Sequence, residues 1–159
     1  MIKESLEGKK IAITGSTGFL GTALVELLLR EIKDVQLRLL IRPSGRRSPQ
    51  KRLERDILRN DAFNSIKSNI GNDAFEKIVG NQIKALPADI SEHNLGLDSE
   101  GIKELSECDV IIHSAAAVSF DEPLDRAAEV NLMGPVRLVE TLKEFEASPH
   151  LVMVSTCYV

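Results

Sequence analysis

The sequence has few residues of the kinds that build disulfide frameworks or metal centres. Its two cysteines, Cys108 and Cys157, are not spaced as a metal-binding pair and are too few for a disulfide framework. The three histidines are scattered along the chain, so we predict no metal site. A reducing, cytoplasmic compartment is the expectation that follows.

Long apolar runs and a strong excess of one charge are also absent. No run approaches the roughly 20 apolar residues that span a bilayer, and the polar stretch 1–10 does not resemble a signal peptide. The formal net charge of -4 gives no indication of a nucleic-acid partner or a membrane surface. With 159 residues, of which 43% are hydrophobic, the chain can bury one core. The composition therefore predicts a soluble globular domain.

The chain does contain a glycine-rich turn near its start, between an apolar strand and an apolar helix. This order suits a dinucleotide pyrophosphate: Gly15 permits a tight turn, Gly18 lets backbone amides approach the phosphates, and Gly21 lets the helix pack closely on the strand. The helix N-terminus adds unpaired N–H groups for the anion. We predict cofactor contacts from Gly15, Ser16, Thr17, Gly18, Phe19, Leu20 and Gly21. The alternative is a purely structural turn.

Short β-like runs alternate with helix-length segments along the whole chain. The predicted strands cover residues 11–13, 36–41, 82–87, 110–113 and 151–154. The predicted helices cover residues 22–32, 49–60, 73–79, 99–105 and 124–146. This alternation predicts an α/β fold with a doubly wound parallel sheet of the Rossmann type, whose ligand lies across the carboxyl ends of the strands. We expect the domain, residues 1–159, to be incomplete and truncated after the fifth strand.

The end of the second strand indicates which cofactor is bound. A site for NAD usually has an acidic residue there to bind the ribose hydroxyls, but this chain has Arg42, and Asp34 precedes the strand. A guanidinium can bind a 2′-phosphate with two hydrogen bonds, and Arg46 follows close by. The sequence therefore predicts NADPH rather than NADH. We interpret the later basic residues as a solvated helix face: Lys51, Arg52, Arg55 and Arg59.

Four further segments identify a family. They are residues 88–97, 113–124, 131–134 and 154–159. Together with the glycine turn, they make the chain resemble the extended short-chain dehydrogenase/reductase superfamily. Within it, the chain resembles the N-terminal half of the fatty acyl-CoA reductases, the male-sterility type, over almost its whole length.

Residues around the predicted cofactor have both a functional and a structural interpretation. Asp89 is placed to accept a hydrogen bond from the adenine amino group, with Ile90 against the ring; alternatively, Asp89 is a helix N-cap or turn residue. His113 is interpreted as a buried or turn histidine rather than a catalyst. Three small residues let the ribose and diphosphate lie against the backbone, or let the next helix pack closely: Ala115, Ala116 and Ala117.

The resemblance implies the catalytic roles. Thr156 would hydrogen-bond the substrate carbonyl, with strand-end capping as the alternative. Asn131 would help to hold a lysine and a proton-relay water, with a buried polar group as the alternative. The family's Tyr-x-x-x-Lys motif is missing, because Tyr158 is the single tyrosine and precedes the chain end by one residue. We therefore expect the catalytic tyrosine and lysine beyond Val159.

The resemblance also implies an activity. It is the NADPH-dependent reduction of a long-chain fatty acyl-CoA to the aldehyde, and on to the fatty alcohol. We expect the 159 residues to bind the cofactor and to turn over nothing alone. One alternative is the terminal thioester reductase domain of a carboxylic acid reductase or peptide synthetase. The other alternative is a non-catalytic NADP-binding sensor.

Overall fold

The central element is a parallel sheet of five strands in a computed structural model that describes residues 2–119 and 121–155. The strands are β1 (Lys10–Thr14), β2 (Gln36–Ile41), β3 (Ile83–Pro87), β4 (Val110–His113) and β5 (His150–Met153). Their order across the sheet is β3-β2-β1-β4-β5, and every pairing is parallel. The chain thus crosses from one edge back to the centre between β3 and β4. The predicted doubly wound, Rossmann-type sheet is confirmed.

One helix precedes β1, and the others lie between successive strands. The helices are α1 (Ile2–Leu6), α2 (Phe19–Glu31), α3 (Pro49–Arg52), α4 (Asn64–Ile70), α5 (Asn72–Gln82), α6 (Ser99–Ser106), α7 (Leu124–Ala128) and α8 (Gly134–Glu144). The sequence predicts one continuous helix over 124–146, whereas the structure has a π-helical segment, Glu129–Met133, between α7 and α8. Pro135 lies in the first turn of α8 and has no N–H to donate to the preceding turn, which favours this change of winding.

Two hydrophobic clusters cover the two faces of the sheet. Because successive side chains of a strand point to opposite faces, Ile11 and Ile13 of β1 join one cluster with Val25 of α2. Ala12, between them, joins the other cluster with Leu138 of α8. All five side chains are fully buried. The sheet is therefore covered on both sides, and β1 lies at its centre between β2 and β4.

An ion-pair cluster links α6 to β2 and β3. Glu104 accepts hydrogen bonds from Arg38 Nε at 2.5 Å and Lys84 Nζ at 3.0 Å. Partial burial by itself raises the pKa of Glu104, but the hydrogen bonds from these two cations outweigh it and lower the pKa to about 2. The carboxylate is therefore held in its charged form in the folded state.

This cluster predicts a loss of stability in acid. Because the folded pKa lies below the ordinary 4.5, the stabilisation is complete above pH 4.5 and is lost as the pH falls towards 2. We expect Glu104→Gln to lower the free energy of unfolding by about 2 kcal/mol at pH 7 and to change it little near pH 2. Urea unfolding at several pH values measures this. Glu100→Gln, an exposed partner of the same Lys84, is the control, and an equal acid dependence in Glu104→Gln and the unaltered protein would contradict the prediction.

Candidate functional site

A cavity of about 610 Å³ lies at the carboxyl ends of the central strands. Residues from the ends of β1, β2 and β4, and the segment after β3, line it. Its size is in the range typical of sites for small molecules and cofactors. The predicted cofactor residues that line it are Gly15, Thr17, Gly18, Phe19, Leu20, Gly21, Arg42, Asp89, Ile90, Ala115, Ala116 and Ala117. The sheet thus brings together residues that lie up to about a hundred positions apart.

The glycine turn forms the floor of this cavity. Gly15 has a φ of +72°, and a Cβ there would lie 2.7 Å from backbone atoms of Ser114 and Ala115. A Cβ at Gly21 would lie 2.2 Å from the carbonyl oxygen of Gly15. Helix α2 starts directly after Gly18, without a side-chain cap and without an acidic residue in its first turn. Backbone amides and the positive end of the helix dipole are therefore available to an anion.

Ser16 has a different place from the other residues of the turn. Its side chain is completely buried, and its hydroxyl has no hydrogen-bond partner among the residues that the structure describes. Its carbonyl accepts a hydrogen bond from the hydroxyl of Thr22 in α2 at 3.1 Å. Ser16 is not among the described residues that line the cavity. Its side chain thus packs inside the turn, and its backbone carbonyl connects the turn to α2.

Two arginines lie at the end of the cavity next to β2. Arg42 is exposed, and its Nε is 4.0 Å from Oδ2 of Asp89. Arg52 donates hydrogen bonds to the carbonyl of Arg42 at 2.7 Å and to Oγ1 of Thr17 at 3.3 Å. Its Nε also bonds Asp56 at 2.9 Å. Arg52 therefore joins the end of β2 to the glycine turn.

Arg52 is one of the cavity residues that the sequence does not predict. The sequence pattern indicates a solvated helix face for it, whereas its side chain is largely buried and lines the cavity. The available signal is the helix start before it: Ser48 caps α3 through the amide of Lys51, and Pro49 follows at the first position. The short helix that begins there brings Arg52 within hydrogen-bond distance of the carbonyl of Arg42, just after β2. Arg46 instead lies in an exposed turn, outside the described lining of the cavity.

Asp89 and Ile90 form the wall after β3. Oδ1 of Asp89 accepts hydrogen bonds from the amide and the hydroxyl of Ser91, at 3.0 and 2.7 Å. Asp89 is thus a turn residue, as the structural alternative predicts, and it also lines the cavity. A Cβ at Gly134 would lie 3.0 Å from Cδ1 of Ile90, so α8 begins close against this wall.

Asn131 holds the loop after β4. Its Oδ1 accepts a hydrogen bond from the amide of Ala117 at 2.8 Å, and its Nδ2 donates to the carbonyl of Ala117 at 2.9 Å. Asn131 is exposed, so the alternative of a buried polar group does not apply. These two hydrogen bonds fix the backbone of Ala117, which is a predicted cofactor residue. Thr156, the other predicted catalytic residue, lies outside the described residues, as does Tyr158.

Within residues 2–119 and 121–155, no group of three or more His, Cys, Asp or Glu side chains could hold a metal ion. None of the helices described there has the length and apolarity needed to cross a membrane.

Comparisons with known proteins agree with this geometry. Residues 13–159 match the NAD-binding family described as male sterility protein. One relative is fatty acyl-CoA reductase 1 from Arabidopsis thaliana, which is 36% identical over 97% of this chain and 32% of the relative. Another is fatty acyl-CoA reductase 2, chloroplastic, from the same organism, which is 35% identical over 97% of this chain and 25% of the relative. Among solved structures, the terminal R domain from the myxalamid PKS-NRPS biosynthetic pathway has a TM-score of 0.70 and 28% identity, over 94% of this chain and 34% of that one. The chain thus spans about a quarter to a third of these proteins.

Proposed function

Because the chain belongs to the family described as male sterility protein, we propose that it is the NADPH-binding part of a reductase that converts a long-chain fatty acyl-CoA to the aldehyde and then to the fatty alcohol. The observation that supports cofactor binding is the glycine turn beside two arginines at the centre of a doubly wound sheet. The two Arabidopsis relatives, both fatty acyl-CoA reductases, support the substrate class.

The residues of the cavity suit a dinucleotide. Neighbouring backbone lies so close to Gly15 and Gly21 that neither position has room for a side chain. The floor of the cavity is therefore bare backbone, as a pyrophosphate bound at the helix N-terminus requires. The alanines after β4 would face the ribose and diphosphate, and Asp89 with Ile90 would contact the adenine. When bound, NADPH supplies the hydride that reduces the thioester carbonyl.

The arginines favour the 2′-phosphate form of the cofactor. Among the described residues, three arginines line the cavity. Arg42 has the longest ion-pair distance, 4.0 Å, whereas the pairs of Arg52 and Arg126 are at 2.9 and 2.6 Å. Arg42 is therefore the freest to bind a phosphate, and Arg52 holds the backbone of Arg42 in place. An acidic residue at the end of β2, which would repel the phosphate, is not present.

This chain would supply some of the catalytic groups, and sequence beyond residue 159 would supply the others. We assign to Thr156 the hydrogen bond to the substrate carbonyl and to Asn131 the support of a lysine and a proton-relay water. The tyrosine and lysine would come from beyond residue 159, because no Tyr-x-x-x-Lys occurs within it. Residues 1–159 alone would then bind NADPH and reduce nothing. We propose a cytoplasmic reaction, although one relative is named chloroplastic.

A second candidate is a terminal thioester reductase that takes its acyl group from a carrier protein. The similarity to the R domain of the myxalamid pathway favours it. The identity to the fatty acyl-CoA reductases is higher, at 35 and 36% against 28%. We therefore place acyl-CoA first.

Turnover by a longer protein that contains this chain tests the proposal. We expect it to oxidise NADPH with palmitoyl-CoA and to release aldehyde or alcohol, whereas residues 1–159 alone leave both unchanged. Turnover only with a carrier-protein thioester would favour the second candidate. A longer protein that lacks a Tyr-x-x-x-Lys, or that binds NADPH and reduces neither thioester, would contradict a catalytic role and favour the sensor.

A further inference from the structure

The hydroxyl of Thr14, at the end of β1, takes part in three hydrogen bonds. The backbone amides of Ser114 and Ala115 both lie 3.2 Å from Thr14 Oγ1. The third contact is His113 Nδ1, at 2.9 Å. Thr14 and His113 are both buried, at 1% and 2% exposure, so water does not compete for these bonds.

The donors and acceptors at Thr14 fix the state of the histidine. A hydroxyl oxygen has two lone pairs and one hydrogen. The two amides can only donate. The Ala115 amide occupies one lone pair, and the Ser114 amide, which also lies 3.3 Å from the carbonyl oxygen of Thr14, occupies the other. With both lone pairs occupied, the hydrogen is directed to His113 Nδ1, which requires an unprotonated Nδ1 and places the ring proton on Nε2, a buried atom with no hydrogen-bond partner among the described residues. Burial also lowers the pKa of His113, in agreement with a neutral ring.

From this arrangement, we propose that His113 is a positioning residue of the cofactor site: as the Nε2–H tautomer, it accepts the Thr14 hydroxyl proton and thereby directs both lone pairs of Thr14 to the amides of the loop after β4. This inference rests on the proposed function, since the loop matters as a wall of the cofactor cavity.

The loop that these bonds fix is part of the cavity. Ser114 and Ala115 line it, and a Cβ at Gly15 would lie 2.7 Å from their backbone atoms, so the loop is in tight contact with the glycine turn. A second bond supports the same loop, from the hydroxyl of Ser114 to the carbonyl of Thr14 at 2.8 Å. A displaced loop would press on the glycine turn and change the phosphate-binding amides. His113 itself is not among the described lining residues, so it acts through Thr14.

Substitutions that remove or keep the acceptor separate this role from simple packing. His113→Leu removes the acceptor, and Thr14→Val removes the hydroxyl while it keeps the shape. His113→Asn keeps an oxygen acceptor close to the position of Nδ1. Cys108→Ala is the matched control, because it removes a buried side chain just before β4 that has no described contact with the cavity.

We expect the amides of Ser114 and Ala115 to exchange hydrogen on the order of tenfold faster in the Leu and Val variants, and the Kd for NADPH to rise by a similar factor. His113→Asn should restore both quantities to within about threefold. Cys108→Ala should lower thermal stability and leave both quantities unchanged. The His113 ring nitrogens should show the Nε2–H tautomer by NMR.

Three results would overturn the inference. One is an NMR signature of the Nδ1–H tautomer of His113. The second is unchanged amide exchange in His113→Leu, or in Thr14→Val if the Leu variant does not fold. The third is a His113→Asn variant that behaves like the Leu variant. Failure of the proposed function looks different: the unaltered chain would bind no NADPH, while amide exchange and the tautomer would still decide the role of His113.

Discussion

Replacing Gly21 by alanine is expected to weaken NADPH binding by at least about a hundredfold and to lower the free energy of unfolding by about 3 kcal/mol. The new Cβ would lie 2.2 Å from the carbonyl oxygen of Gly15 and 2.6 Å from Cα of Ser16. Both contacts are to backbone, so a side-chain rotation cannot relieve them. Helix α2 would have to move away from β1, and its N-terminus would leave the floor of the cavity. Urea unfolding and calorimetric titration measure the two effects.

Gly80 provides the matched control for this substitution. It lies in α5, and a Cβ there would meet nothing within 4 Å. Gly80→Ala should therefore raise the free energy of unfolding by up to about 1 kcal/mol, through helix propensity alone, and leave NADPH binding unchanged. A Gly21→Ala variant that binds NADPH as tightly as Gly80→Ala does would show that close packing of α2 is not needed for the site.

Arg42→Ala is expected to raise the Kd for NADPH by about tenfold to a hundredfold and to leave the Kd for NADH nearly unchanged, because a charge-assisted bond to the 2′-phosphate is lost and NADH has no such phosphate. Arg52→Ala should do the same and also lower stability, since this side chain bonds both Thr17 and the carbonyl of Arg42. Titration of each variant with both cofactors measures the selectivity.

Arg55 is the control for a change of charge alone, because it is exposed on the same segment as Arg52 and is not among the described residues of the cavity. Arg55→Ala should keep the preference for NADPH. If Arg42→Ala weakened NADH and NADPH binding equally, the arginine would have a general role at the site and the 2′-phosphate assignment would be contradicted.

The parts of the structure that local patterns determine could be predicted. An apolar run before the glycine turn gives β1, and the apolar helix after it gives α2. The alternation along the rest of the chain gives the doubly wound sheet. The glycine spacing also locates the cavity floor, because it requires a strand end and a helix start at one place.

Contacts between residues that are far apart in the sequence could not be predicted. Arg52 reaches Thr17, thirty-five positions earlier, because a short capped helix returns to the end of β2. Thr14 and His113 are ninety-nine positions apart and meet only because β1 and β4 pair in register. Sequence periodicity identifies each strand but does not state which side chains meet across the sheet.

The measurement that tests the account most directly is a calorimetric titration of the 159-residue chain with NADPH and, separately, with NADH. The account predicts that NADPH binds at least about tenfold more tightly, since the arginines at the end of β2 would contact its 2′-phosphate. Circular dichroism on the same sample establishes that the chain is folded. A folded chain that binds neither cofactor, or that binds NADH as tightly as NADPH, would contradict the account.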